Sequence, residues 1–185
     1  MSISLIILIF LIFIVITVVL LYNRLVALRQ MSENGWSDIE VQLKRRADLI
    51  PQIVATVKGY AAHEKSLFVD VIEKRNQAMG AGADTLARGA AESSLSAPVS
   101  KLMALAEDYP ELKANENFLD LQNELSETED KVEMARRFYN GAVRELNTKI
   151  QTVPSNLIAG PFGFRAREYF EISTSDAAIP AVDFS

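Results

Sequence analysis

The residues that most often carry chemistry are sparse in this 185-residue sequence, which has no cysteine and one histidine. His63 and Glu64 match the start of the zinc-protease pattern His-Glu-x-x-His, but Leu67 stands where the second histidine is needed. A lone imidazole without thiolates offers neither a two-histidine zinc site nor the paired Glu-x-x-His motifs of a di-iron bundle. The sequence therefore predicts no metal and no cofactor.

Glycine and serine patterns typical of enzymes are incomplete as well. Gly80 and Gly82 resemble the start of a dinucleotide-binding loop, but the third glycine is missing and no strand pattern precedes them. The Gly-x-x-x-x-Gly-Lys pattern of phosphate loops and the Gly-x-Ser-x-Gly pattern of hydrolases do not occur. We predict that the chain is not an enzyme, and a hydrolase with an unfamiliar site is the less favoured alternative.

Charged residues favour pairing between helices over catalysis. The carboxylates of residues 127–133 lie one helical turn before basic residues, which is typical of surface ion pairs rather than of a divalent-metal site. For the basic run Lys44–Arg46 we predict an acidic helix as partner, in preference to anionic lipid. Residues 24–79 carry a net charge of +2 and residues 80–185 one of −7, so we expect the long acidic helix to lie against the first helical region. The acidic balance predicts no nucleic-acid partner.

The first 23 residues predict a membrane anchor. The segment 3–21 is apolar except for Ser4 and Thr17, and a helix of this length, about 28 Å, spans the hydrocarbon core of a bilayer. Tyr22 at its end suits the membrane–water interface. A cleaved signal peptide is the less favoured alternative, because no basic region precedes the segment and no small-x-small cleavage site ends it. We expect an uncleaved transmembrane helix with the lipid bilayer as partner.

The charge beside this segment predicts its orientation. Arg24 and Arg29 follow the apolar residues, whereas the preceding tail carries no lysine or arginine. Because lysine and arginine near a span favour the cytoplasmic side, we expect the N-terminus outside and the C-terminal domain in the cytoplasm.

Beyond the anchor, apolar residues recur at helical spacing. From Asn23 to Met79 they form a stripe that passes Pro51, which either kinks one helix or separates two. From Asn115 to Val153 a stripe with a period of seven resembles a coiled-coil seam. Its members are Phe118, Leu125, Val132, Tyr139, Leu146 and Val153. No run alternates as a strand does, so the sequence predicts an all-α fold, with an elongated antiparallel bundle of long helices over residues 24–153.

Two segments break the helical pattern. Residues 80–96 are rich in glycine, alanine and serine, and we predict a flexible connection there, with helix resuming near Pro98. Residues 154–185 form an irregular, aromatic-rich C-terminal tail that either packs on the bundle or docks on a neighbouring subunit or another protein. The candidate packing or assembly residues of the chain are Trp36, Leu125, Val132, Tyr139, Leu146, Phe162, Phe164, Tyr169, Phe170 and Phe184.

Two long blocks of the sequence resemble the LemA family. The block from Tyr22 to Glu64 reads YNRLVALRQMSENGWSDIEVQLKRRADLIPQIVATVKGYAAHE, and the block from Glu116 to Glu171 reads ENFLDLQNELSETEDKVEMARRFYNGAVRELNTKIQTVPSNLIAGPFGFRAREYFE. The apolar N-terminus and the gap between the blocks also agree in length. Pro161 departs from the pattern, since the family more often has a large apolar residue there. The resemblance implies a bacterial membrane-anchored helical bundle without an established catalytic activity.

These observations favour a non-enzymatic scaffold that self-assembles through its long helices. The seam is longer than the helix around Leu102–Tyr109 can cover, and anchoring in one plane raises the effective concentration of copies. We therefore expect a homo-oligomer, as a head-to-tail ring rather than a two-fold dimer. The alternative is an adaptor for a membrane protease or for an envelope-stress or signalling protein. Because the resemblance implies a bacterial membrane anchor, we expect a single-pass protein of the bacterial inner (cytoplasmic) membrane.

Overall fold

The computed structural model describes residues 2–172, which form α-helices joined by short connections. No strand occurs among these residues, and the prediction of an all-α helical bundle is confirmed. The helices are α1 (Ile3–Lys58), α2 (Lys65–Gly80), α3 (Thr85–Glu107), α4 (Pro110–Lys113), α5 (Glu116–Gln151) and α6 (Asn156–Ala159).

The described residues divide into two compact units, and both α1 and α5 contribute to each of them. The first unit contains residues 2–38 and 135–169. In this unit α1 and α5 run antiparallel, because Arg24 pairs with Glu145 while Gly35 lies against Phe138. Its core combines residues of α1, α5, α6 and the segment after α6, namely Leu25, Leu28, Leu146, Ile158, Ala159 and Phe164.

The second unit contains residues 39–134 and 170–172. Its core is larger and takes apolar residues from α1 to α5, because each of these helices turns one apolar face inward. Among its most buried members are Ile50, Ile53, Val57, Val71, Leu95, Leu102 and Leu112.

Pro51 lies inside α1, so the residues around it form one continuous helix rather than two. A proline at this position cannot donate a hydrogen bond to the carbonyl oxygen of Ala47, four residues earlier. The side chain of Arg75 on α2 replaces that donor, since its Nε donates to the Ala47 oxygen at 2.9 Å. A neighbouring helix thus supplies the hydrogen bond that the proline removes.

The helical stripe predicted up to Met79 is interrupted between α1 and α2, at residues 59–64. The flexible connection predicted for residues 80–96 is wrong for most of its length, because α3 begins at Thr85. The side chain of Asp84 caps this helix by accepting a hydrogen bond from the Ala87 amide at 2.7 Å. Gly89 has a packing role, since a Cβ atom there would overlap the carbonyl oxygen of Glu171.

Helix α5 agrees with the prediction for Asn115–Val153 to within two residues at either end. Asn115 caps it, with its side-chain oxygen accepting from the Phe118 amide at 3.1 Å. The described part of the tail is fastened to α5 by the Asn147 side chain, which bonds the backbone N–H and C=O of Arg167, each at 2.9 Å. The tail is therefore ordered by backbone hydrogen bonds as well as by its aromatic residues.

Candidate membrane anchor and interaction surfaces

The first part of α1 is an apolar surface that the described residues leave open. Within residues 2–172, α1 contains a stretch long and apolar enough to cross a membrane, and none of that stretch is buried inside the protein. Only towards its end do Val18 and Leu21 become partly covered, by packing against the core of the first unit. An exposed apolar surface of this length is stable in the hydrocarbon core of a bilayer and unfavourable in water.

The four central residues of the α5 seam are all buried. Leu125, Val132, Tyr139 and Leu146 are at most 6% exposed. Their partners belong to the same chain, so these four side chains serve internal packing and offer no surface to a second copy. Val153, the last member of the seam, is by contrast 78% exposed.

The aromatic candidates fall into two groups. Trp36 is half-buried, with its ring centroid 5.6 Å from that of Tyr139. In the tail, the structure buries Phe164 and Phe170 but leaves Phe162 and Tyr169 exposed. Phe184 lies outside the described residues. Among the aromatic candidates within the described residues, Phe162 and Tyr169 are therefore the exposed ones.

The prediction that the basic run Lys44–Arg46 pairs with an acidic helix is confirmed by two ion pairs to α5. Arg45 Nη2 lies 2.9 Å from Glu124 Oε1, and Arg46 Nε lies 2.8 Å from Glu129 Oε1. These contacts attach the first helical region to the long acidic helix, as the opposite net charges of the two parts of the sequence indicated.

Arg46 also belongs to a buried ionic cluster that sequence reasoning missed. Its Nη1 lies 3.1 Å from Glu92 Oε2 on α3, and its Nη2 donates to Ser96 Oγ at 3.3 Å. Arg88, one turn before Glu92, lies 3.1 Å from Glu92 Oε1. In the sequence, this cluster was indicated only by Glu92, an isolated acidic residue in a stretch rich in alanine, serine and glycine.

Burial raises the pKa of Glu92 above its ordinary value, while the guanidinium groups of Arg46 and Arg88 oppose this rise. The carboxylate is almost completely enclosed, and both of its oxygens face arginines. This arrangement can hold α3 against α1. It provides no open position where a substrate would meet the carboxylate.

An apolar groove is open on the surface between α1 and α2. It has a volume of about 760 Å³, and its apolar lining comes from Val54, Phe68, Val69 and Ile72. Val69 is 65% exposed, although it stands beside the nearly buried Phe68. Polar side chains such as Lys58 and Glu73 border the groove. An apolar surface with a polar rim is typical of sites that bind another molecule. Phe68 and Ile72 belong to the predicted helical stripe, but the sequence did not indicate that one edge of it stays uncovered.

An all-α bundle together with an uncovered apolar helix long enough to cross a membrane defines a membrane-associated, all-α class of protein. The chain belongs to the LemA family, whose pattern it matches over residues 35–184.

Three similar proteins illustrate this relationship. Magnetosome protein MamQ 2 of Paramagnetospirillum magneticum is 26% identical over 180 aligned residues, which cover 84% of this chain and 66% of that protein. Magnetosome protein MamQ of Magnetospirillum gryphiswaldense is 25% identical, with 83% and 66% covered. Protein LemA of Metamycoplasma hominis is 26% identical over 137 residues, with 74% and 63% covered. The chain thus spans slightly less than two thirds of the length of these relatives.

Proposed function

We propose that this chain is a non-enzymatic scaffold, anchored in the bacterial inner membrane by the start of α1, which assembles with further copies of itself. The observation that carries the proposal is the apolar groove of the second unit, on the same helix that provides the anchor. Because α1 contributes to both units, every anchored copy carries such a groove on the same chain as its anchor. The scarcity of histidine and the lack of cysteine support a role without catalysis.

A second copy of the chain is the occupant that membrane anchoring favours. Copies that share one membrane plane meet at a much higher effective concentration than free proteins do. The apolar segment itself lacks the Gly-x-x-x-Gly pattern of helix dimers, so the folded domain is the better source of the contact. In a head-to-tail ring the groove of one copy receives a different surface of the next.

Val69→Glu tests the groove as the assembly contact. Placing a carboxylate in an apolar contact leaves a charge to be desolvated, so we expect association to weaken at least about tenfold, or about 1.4 kcal/mol. Sedimentation velocity of the full chain in detergent measures the change. Val41→Glu is the matched control, because Val41 is 62% exposed against 65% for Val69 and does not line the groove.

The proposal predicts an oligomeric wild type, an oligomeric Val41→Glu protein and a dissociated Val69→Glu protein. An unchanged Val69→Glu oligomer would remove the groove from the contact. A monomeric wild type over the accessible concentrations would overturn self-assembly and favour the adaptor for a membrane protease or signalling protein, with the groove then open to that partner.

We also propose that the domain faces the cytoplasm. Arg24 and Arg29 follow the anchor, and Arg144 and Lys149 line a groove with Arg24, so positive charge collects on the side that the positive-inside rule places in the cytoplasm. Because the chain has no cysteine, Lys101→Cys gives a single, exposed thiol. A membrane-impermeant maleimide should label it only after spheroplasts are lysed, whereas Ser2→Cys should be labelled while they are intact. The reverse pattern would contradict this orientation.

A further inference from the structure

The segment that follows α5 folds back onto the end of the apolar anchor. Ile158 and Ala159 of α6, together with Phe164, belong to a core cluster against which Val18 and Leu21 of the anchor pack. Val18 and Leu21 lie in the last turn of the apolar segment 3–21 of α1, a helix long and apolar enough to cross a membrane. The segment therefore reaches the level at which the bilayer begins.

Aromatic contacts place the same segment at that level independently. The ring of Phe162 lies 5.1 Å from the ring of Tyr22, and that of Phe164 lies 5.8 Å from it, centroid to centroid. Tyr22 directly follows the apolar stretch, where a tyrosine ring is stable at the membrane–water interface. Phe162 consequently lies beside the residue at which the apolar stretch ends.

This segment turns three large apolar side chains away from the protein. Val153, Leu157 and Phe162, here named the interfacial patch, are each more than half exposed. Hydrogen bonds within the segment hold the backbone that carries them. The buried Ser155 hydroxyl donates to the Lys149 carbonyl oxygen at 2.7 Å. The Phe164 amide donates to the Ala159 carbonyl oxygen at 2.9 Å.

Basic side chains follow the apolar stretch of α1 within the same unit. Arg24, Arg144 and Lys149 line a groove of about 280 Å³, just beyond Tyr22, and Glu145 pairs with Arg24 there at 3.3 Å. The surplus of positive charge suits the anionic headgroups of a bacterial membrane. Apolar side chains at the interface bordered by cations are typical of a surface that rests in the headgroup layer.

We infer that the interfacial patch is immersed in the headgroup layer of the bilayer, so that the tail forms a second membrane contact beside the transmembrane helix. The occupant is lipid, because Phe162 of the patch lies against Tyr22, where the apolar surface of the anchor ends. A contact at two points restricts the tilt of the first unit relative to the membrane, which a single helix does not. This inference goes beyond self-assembly and holds for a monomer as well as for an oligomer.

Fluorescent labels on single cysteines test the inference in the full chain. Phe162→Cys and, as a matched control, Phe138→Cys carry an environment-sensitive NBD label in vesicles of phosphatidylcholine with one quarter phosphatidylglycerol. The two phenylalanines are 56% and 49% exposed. Phe138 lies against Gly35, thirteen residues beyond Tyr22 on α1 or about 20 Å along the helix. Leu157→Cys provides a second patch label should the first disturb folding, which circular dichroism reports.

Lipids with a nitroxide on an upper acyl-chain carbon then quench labels that lie in the bilayer. We expect the label at position 162 or 157 to emit at shorter wavelength and to be quenched several-fold more than the label at position 138. Equal, weak quenching at all positions would overturn the inference. A blue-shifted patch label that the lipid nitroxide does not quench would overturn it too, since a second protein copy would then cover the patch.

Discussion

Replacing Arg46 with methionine is expected to lower the free energy of unfolding by about 3–5 kcal/mol, because it leaves the buried Glu92 carboxylate with one arginine where it had two. Methionine keeps much of the apolar volume of the arginine stem, so the loss reports on the charge. Urea unfolding of the full chain in detergent micelles, followed by circular dichroism and by Trp36 fluorescence, measures the change.

Lys44→Met is the matched control for this prediction. Lys44 stands two residues earlier on α1 and makes an ion pair of 2.8 Å with Asp48, but both side chains of that pair are exposed. Exposed pairs contribute about 0–1 kcal/mol, so the control should remain close to wild type. Combining Arg46→Met with Glu92→Leu should recover part of the loss, because both charges are then removed. Equal stabilities of Arg46→Met and Lys44→Met would refute a structural role for the buried cluster.

The same variant has a predicted pH dependence. Arg46 opposes the rise that burial causes in the pKa of Glu92, so its removal should raise this pKa further in the folded protein. The folded protein then binds the Glu92 proton more tightly than the unfolded chain does. By linkage, the destabilisation of Arg46→Met should shrink as the pH falls through the raised pKa, and be largest above it.

Leu146→Ala is expected to cost about 2–5 kcal/mol of unfolding free energy. Leu146 is 1% exposed and lies in the core of the first unit with Leu25 and Leu28 of α1. Truncation removes buried methyl groups and leaves a cavity that the surrounding helices can close only in part. The same urea titration measures the effect, and a loss of apolar packing should move the midpoint with little change in slope.

Leu86→Ala on α3 is the control for the leucine substitution, because Leu86 is 59% exposed. Surface changes of this kind stay within about 0.5 kcal/mol of wild type. A Leu146→Ala protein as stable as the Leu86→Ala protein would mean that the α5 seam does not pack as the structure describes.

Residues whose role depends on local periodicity were predictable from the sequence. The apolar stretch before Tyr22 and the seven-residue repeat through Leu125 and Leu146 predicted α1 and α5, because a helix places such residues on one face. The opposite net charges of residues 24–79 and 80–185 likewise predicted that the first helical region would meet the acidic helix, as the ion pair of Arg45 with Glu124 shows. The periodicity shows which face of a helix is apolar. A long helix with such a face can then pack against few other helices of the same chain.

Residues whose role depends on distant partners were not predictable. The stretch from Thr85 to Ser96 has little apolar bulk, and its helix is held by Glu92 reaching Arg46 and by Gly89 admitting the backbone of Glu171. Nor does composition distinguish an aromatic residue that faces the core, such as Phe164, from one that faces out, such as Phe162. Exposure of the groove around Val69 depends on how far α2 covers α1, which is a property of the whole fold.

Native mass spectrometry of the full-length wild type, released from detergent micelles, tests the central claim most directly. It separates the 20.5 kDa monomer from every multiple of that mass without any substitution. A self-assembling scaffold predicts a dominant species at a defined multiple, stable on dilution above the critical micelle concentration. A single 20.5 kDa species at all accessible concentrations would contradict the account.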